Sequence, residues 1–166
     1  AASHAAAHPD HRVLVVCVEV SSIHFHDDAR LDRLISNTLF ADGAAATVVT
    51  NEPGGIELAT TASTLIPETP DVMGWEIGDT GFDLVLARDI PVFVNSHFAP
   101  VCDDFLARHG LEKSDMAEPA CHPGGGRVVD ALADYLGDDL AMTRSVLRAN
   151  GNMSSPTVLF VLDALL

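Results

Sequence analysis

Between Arg12 and Val20 the chain reads Arg-Val-Leu-Val-Val-Cys-Val-Glu-Val, an almost unbroken run of β-branched and aliphatic residues. Such a run predicts a strand buried on both faces, because a half-solvated strand would alternate apolar with polar positions. A strand of this kind needs a sheet with cover on either side. The sequence that follows supplies parts for such a layered fold. Leu31, Leu34, Ile35 and Leu39 recur at helical spacing within 27–40, Ala41-Asp-Gly43 turns the chain, and 44–50 is again strand-like. Helix, turn, strand is the simplest account.

Further along, Pro53-Gly54-Gly55 predicts a hairpin turn into a strand over 56–61. The stretch 67–81, dense in Pro, Gly and Asp, predicts a long surface loop anchored by Trp75. Asp89 is placed to cap a helix with Ile90 and Pro91 in its first turn. Val92, Phe93, Phe98, Val101, Phe105 and Leu106 would form the buried face of that helix, and Pro100 should bend it near 95–99. Val128, Val129, Leu132 and Leu136 mark a helix stopped by Gly137. Asp138 or Asp139 starts another that ends at Asn150-Gly151, and 154–166 predicts a buried helix. No internal repeat or linker stands out, so the chain reads as one α/β unit with mixed pairing.

Charge narrows the function. Nine Lys+Arg stand against 24 Asp+Glu, a formal net charge of −15. Binding to nucleic acid or to anionic lipid needs clustered cations, so both are poor partners. Cys17, Cys102 and Cys121 are too few and too scattered for a disulfide scaffold, which fits a reducing cytoplasm. The longest apolar runs are far shorter than the ~20 residues that span a bilayer. His4, His8 and His11 share one helical repeat, but Pro9 interrupts them and no carboxylate or Cys completes a shell. His24 with His26 is weaker still, and no metal site is assigned.

Two motifs carry chemistry. In Cys121-His122-Pro-Gly-Gly-Gly126 a His ends a predicted strand, and the glycines that follow let backbone approach a ligand at a helix start. A plain Gly-rich turn beside a structural His would read the same. In Gly151-Asn152-Met-Ser-Ser155 a carboxamide precedes a helix whose free N–H groups make a positive end, a place to stabilise an oxyanion. An ordinary helix stop followed by Ser capping accounts for those letters equally.

Taken in order and at these separations, residues 12–19, Leu39-Phe-Ala-Asp-Gly-Ala-Ala-Ala46, His122-Pro-Gly-Gly125 and Gly151-Asn-Met-Ser-Ser155 resemble type III polyketide synthases, the chalcone and stilbene synthase family. The similarity spans nearly the whole chain, and Met73-Gly-Trp75 with Gly81-Phe82 resembles bacterial members more than plant ones. Ketoacyl synthase III relatives carry similar His and Asn motifs, but with Gln-Ala-Asn after the His and Thr-Ser after the Asn. The resemblance implies a thiolase-like fold, a mixed sheet with helices on both faces in αβαβα layers. Residues 1–26 would end its N-terminal half and 27–166 would form an incomplete C-terminal domain. It also implies decarboxylative condensation of malonyl-CoA with an acyl-CoA starter by a Cys-His-Asn triad, in a homodimer, with CoA thioesters as substrates and no other cofactor.

By the same resemblance His122 and Asn152 match the catalytic His and Asn. Phe40 matches an aromatic at the cavity mouth that orients the substrate, although a core Phe closing a helix reads alike. Ser21, His24 and Ser154 match cavity-lining positions, and His24 departs from the small residue found there. Leu84 falls at a second gate that is aromatic in plant members. Arg127, in the first turn after the glycines, could meet CoA phosphates, although a solvent-facing Arg is the simpler reading. The reactive Cys of the family lies shortly before the strand matching 12–20, so its position would fall upstream of Ala1, and the closing strands beyond Leu166. The chain is therefore expected to be inactive alone. The alternatives are a ketoacyl synthase III-like enzyme, a non-catalytic thiolase-like dimerising module, and a hydrolase built on Cys121.

Overall fold

The computed structural model describes residues 1–27, 29–79, 81–87 and 89–166. Asp28, within the helix expected over 27–40, and Thr80, within the loop expected over 67–81, lie outside the described residues. A short helix, α1 (Ala2–Ala7), leads into β1 (Val13–Glu19). A 3₁₀ turn over Ser21–His24 and helix α2 (Leu31–Leu39) then connect β1 to β2 (Gly43–Val49). The two strands pair antiparallel along their full length, from Val13 opposite Val49 to Glu19 opposite Gly43.

The run at 13–19 is not buried on both faces. Val13, Val15, Cys17 and Glu19 are half-buried, while Leu14, Val16 and Val18 are 63%, 58% and 61% exposed. One face meets helix α6 (Ser155–Leu165), where Val161 and Thr157 are fully buried. Among the described residues nothing covers the other face. The run predicts two covered faces, and among the described residues α6 covers one.

The loop expected over 67–81 is instead half of a hairpin, β3 (Met73–Gly78) with β4 (Gly81–Leu86), in which Trp75 stands opposite Leu84 and Ile77 opposite Phe82. Met73, Trp75 and Ile77 alternate as a strand should, but the Pro, Asp and Gly around them obscured the period. The strand expected over 56–61 does not form; residues 51–65 are exposed and join no ladder.

Helix α3 (Ile90–Arg108) runs through Pro100 as one segment. Asp89 is its N-cap residue, but its side chain makes no capping bond, and Val92, expected in the buried face, is 66% exposed. Val94 and Phe98 of α3 pack on the main core cluster of Val129, Leu132 and Leu140, joined by Cys121 and Leu147. That cluster joins α3 to α4 (Gly126–Leu136) and α5 (Ala141–Asn150). Gly137 stops α4 in the left-handed conformation, as its position predicted, and Asp138 and Asp139 accept the main-chain N–H groups of Leu140 and Ala141 ahead of α5. The pairing is mixed as expected: among the described residues there are two antiparallel pairs plus one parallel bridge, Phe40 to Asn152.

Candidate functional site

That parallel bridge builds the site. The main-chain N–H of Ala41 donates to Asn152 O and that of Asn152 donates to Leu39 O, both at 2.9 Å, so the end of α2 is laced to the segment before α6. Gly151 makes the close approach possible. A Cβ there would lie 3.1 Å from Ala41 Cβ and 3.3 Å from Leu39 O, and its φ is +74°. Asn152 is buried with its carboxamide oriented by two bonds. Its Oδ1 accepts from Ser154 N at 2.8 Å, and its Nδ2 donates to Gly124 O at 3.3 Å. One hydrogen of Nδ2 is left for another acceptor.

The second bond brings the His122 segment to Asn152. No strand forms over 119–122, contrary to the expectation. Instead Gly124 N donates to His122 O at 3.0 Å, a tight turn that Pro123, fully buried, anchors. Gly125 adopts φ +155° against the Leu39 side chain and serves as the N-cap of α4. Cys121 and His122 still separate as neighbours in extended backbone do. Cys121 packs on the core, its carbonyl accepting from the Thr143 hydroxyl at 3.3 Å, while His122 is exposed to solvent along part of its side chain even though neighbouring atoms desolvate its ring.

The electrostatics follow from those placements. Burial pushes the Cys121 thiol above its ordinary value, with Asp138 and Cys102 adding to the shift. A thiol so placed is a poor nucleophile at neutral pH, which argues against a hydrolase built on it. Desolvation lowers the His122 pKa below 6.5, so the ring by itself is neutral at pH 7 and donates one N–H.

Phe40 belongs to both this site and a neighbouring cleft of about 420 Å³, which Ser21, His24, Asn37 and Asp42 also line. His24 stands against the Trp75 ring, centroids 4.9 Å apart, and stacks on Phe82 at 5.4 Å. Leu84 does not line the cleft; it lies across the hairpin from Trp75. Ser154 touches the site through its main chain, as the donor to Asn152. Arg127 lines a different groove, between α3 and α4, with Asp130 and Asp134 beside it. Those carboxylates make the groove a poor phosphate site.

Sequence reasoning missed several residues. Asp42 accepts both the main-chain N–H and the hydroxyl of Ser22, at 2.7 and 2.6 Å, tying the 3₁₀ turn to the start of β2, and these bonds lower its pKa. Asp83 accepts from Arg33 at 2.6 Å and faces His26 at 3.3 Å, gripping the hairpin to α2. Asp42 lay inside a motif already noted; nothing in the periodicity pointed to Asp83. The rings of His4, His8 and His11 gather within 5.3 Å of one another, with His4 Nε2 and His11 Nδ1 3.1 Å apart. Among the described residues no group of three or more His, Cys, Asp or Glu is arranged to hold a metal ion, and no helix is long and apolar enough to cross a membrane.

The family profile of chalcone and stilbene synthases, C-terminal domain, matches residues 57–166. The 1,3,6,8-tetrahydroxynaphthalene synthase of Streptomyces peucetius subsp. caesius is 38% identical over 94% of this chain and 44% of its own length. The 3,5-dihydroxyphenylacetyl-CoA synthase of Streptomyces toyocaensis is 37% identical over 97% and 45%. The crystal structure of 1,3,6,8-tetrahydroxynaphthalene synthase from Streptomyces coelicolor A3(2), a bacterial type III polyketide synthase, superposes with a TM-score of 0.91 at 32% identity, covering 98% of this chain and 48% of that one. The fold is thus that of the type III polyketide synthases, and the chain spans about half the length of these relatives.

Proposed function

The chain belongs to the chalcone and stilbene synthase family, and from that premise we propose that His122 and Asn152 form the oxyanion-binding half of a decarboxylative condensing site. The observation that carries this reading is the Asn152 Nδ2 bond to Gly124 O, which ties the carboxamide to the turn that presents His122.

In this mechanism a cysteine thiolate attacks the starter acyl-CoA, forming an acyl thioester and releasing CoA. The thioester carbonyl of malonyl-CoA then accepts one N–H from His122 and the remaining Nδ2 hydrogen of Asn152. The bond to the terminal carboxylate breaks, carbon dioxide leaves, and its electron pair forms an enolate whose oxygen sits on those donors. The enolate carbon attacks the acyl thioester, forming the new carbon–carbon bond and releasing the thiolate. Phe40 stands beside Asn152 in the main-chain bridge, where its ring can flank the approaching thioester, and Ser21 and His24 line the cleft next to it.

The thiolate is assigned to sequence outside these 166 residues, since Cys17 lies within β1, Cys102 lies on α3, and Cys121 faces the core. The reading places the protein in the cytoplasm as a homodimer acting on CoA thioesters. The test is malonyl-CoA decarboxylation by a synthase-length chain carrying these residues. His122→Ala is expected to abolish decarboxylation and condensation, and normal malonyl-CoA turnover in that variant overturns the assignment.

A further inference from the structure

We propose that Thr157 is a positioning residue for the Asn152 carboxamide, acting through the main chain of Ser154; this rests on the catalytic reading of Asn152 above. Ser154 adopts φ +58° and ψ −129°, a backbone region that side-chain-bearing residues avoid and that persists only where its surroundings impose it. Two donors hold its carbonyl oxygen, and both come from Thr157. Its main-chain N–H reaches Ser154 O at 3.1 Å and its hydroxyl reaches the same oxygen at 2.8 Å. Thr157 is 0% exposed, and Pro156 beside it is also fully buried. Ser154 is the N-cap residue of α6, but its side chain makes no capping bond, so the hydroxyl that bonds at this helix start is that of Thr157.

The consequence appears on the other side of the same residue. With its carbonyl gripped by Thr157, Ser154 directs its N–H at Asn152 Oδ1, 2.8 Å away. That bond fixes which end of the carboxamide is oxygen, and so holds Nδ2 toward Gly124 O with its second hydrogen free. Loss of the Thr157 hydroxyl leaves one donor on Ser154 O, lets the strained residue relax, and frees the carboxamide to turn. A donor misaligned in this way costs rate in the transition state, where charge develops on oxygen, more than it costs substrate binding.

The experiment is steady-state decarboxylation of malonyl-CoA by a synthase-length chain carrying these residues. Thr157→Val keeps the volume and the main-chain donor. It is expected to lower kcat about tenfold with KM changed less than about twofold, and Thr157→Ser is expected to restore the rate. In an Asn152→Ala background Thr157→Val should change the residual rate no further, because the residue to be positioned is gone. Wild-type kcat in Thr157→Val, or the same loss in both backgrounds, overturns the proposal. Full decarboxylation by Asn152→Ala alone overturns the catalytic reading and this inference with it. Should Thr157→Val not fold, Ser154→Gly is the second arm. That glycine keeps both main-chain groups and adopts this conformation without strain, so kcat is expected to stay within about twofold of wild type with Tm equal or higher. Thr157→Ala, which removes the hydroxyl and keeps the main-chain donor, is expected to lower kcat about tenfold. Wild-type kcat in Thr157→Ala, or about a tenfold loss in Ser154→Gly, overturns the proposal.

Discussion

Asn152 donates from Nδ2 to the carbonyl oxygen of Gly124 at 3.3 Å across 28 positions of sequence. Because Oδ1 is committed to Ser154 N, an exchange of oxygen for nitrogen would leave two acceptors facing each other at Gly124. Asn152→Asp puts an oxygen opposite Gly124 O permanently while keeping the acceptor for Ser154 N. It is expected to lower decarboxylation by about 10²–10³-fold, the usual cost of an oxyanion donor. It should also lower folding stability by roughly 1–3 kcal/mol, the cost of a buried group left unsatisfied. Kinetics and urea unfolding check the two parts, and a variant unchanged in both contradicts the bond.

Legibility followed the range of the interactions. Helices α4, α5 and α6 were readable because their stop signals are local: Gly137 in the left-handed conformation, Gly151 after Asn150, and apolar residues at helical spacing between them. The β3–β4 hairpin was not readable, because Trp75 and Leu84 are strand residues chiefly by virtue of facing each other, while the surrounding Pro, Asp and Gly read as loop. Leu14, Val16 and Val18 showed the opposite failure: the pattern recorded a burial that the residues described here do not supply. His122 and Asn152 were found through their motifs, whereas Thr157 looks like any β-branched residue of a buried helix until its hydroxyl is seen on Ser154 O.

Glycine substitutions separate backbone requirement from mere presence in a motif. Gly151→Ala places a Cβ 3.1 Å from Ala41 Cβ at a φ of +74°, and Gly43→Ala places one 2.4 Å from Met153 Sδ and 2.9 Å from its Cβ. Each should lose roughly 1–3 kcal/mol in urea unfolding. Gly126 begins α4 with nothing within 4 Å of an added Cβ, so Gly126→Ala should be neutral or gain a few tenths of a kcal/mol. Equal losses at all three positions would contradict the close approaches.

Thiol chemistry tests the placement of Cys121. Burial, followed by Asp138 and Cys102, raises its pKa, and each unit of increase cuts the reactive thiolate about tenfold at a given neutral pH. Iodoacetamide at neutral pH should therefore modify Cys121 more slowly than a free cysteine peptide, with the difference vanishing in denaturant. Peptide mass mapping over time reads both rates. Labelling of the folded chain at the peptide's rate would place the side chain in solvent rather than on the Val129 and Leu132 core.

The His122 titration has a definite sign. Desolvation lowers the pKa of the folded ring below 6.5, while the unfolded chain titrates near that ordinary value. Between the two pKa values the unfolded state binds more protons, so stability rises with pH and is lost as pH falls through 6.5 toward the folded pKa. In the proposed site the ring would gain a lasting second proton only from the field of a nearby thiolate, which favours the imidazolium. The ring C–H resonances of His122, followed by NMR from pH 8 to pH 5, should give a midpoint below 6.5 in this chain. His122→Gln should lose part of the destabilisation on acidification, measured by urea unfolding at pH 7.5 and 5.5. A midpoint at about 6.5 would show that the turn from Pro123 to Gly125 leaves the ring in bulk water, and only a midpoint above about 7 would reverse the charge state assigned to the site.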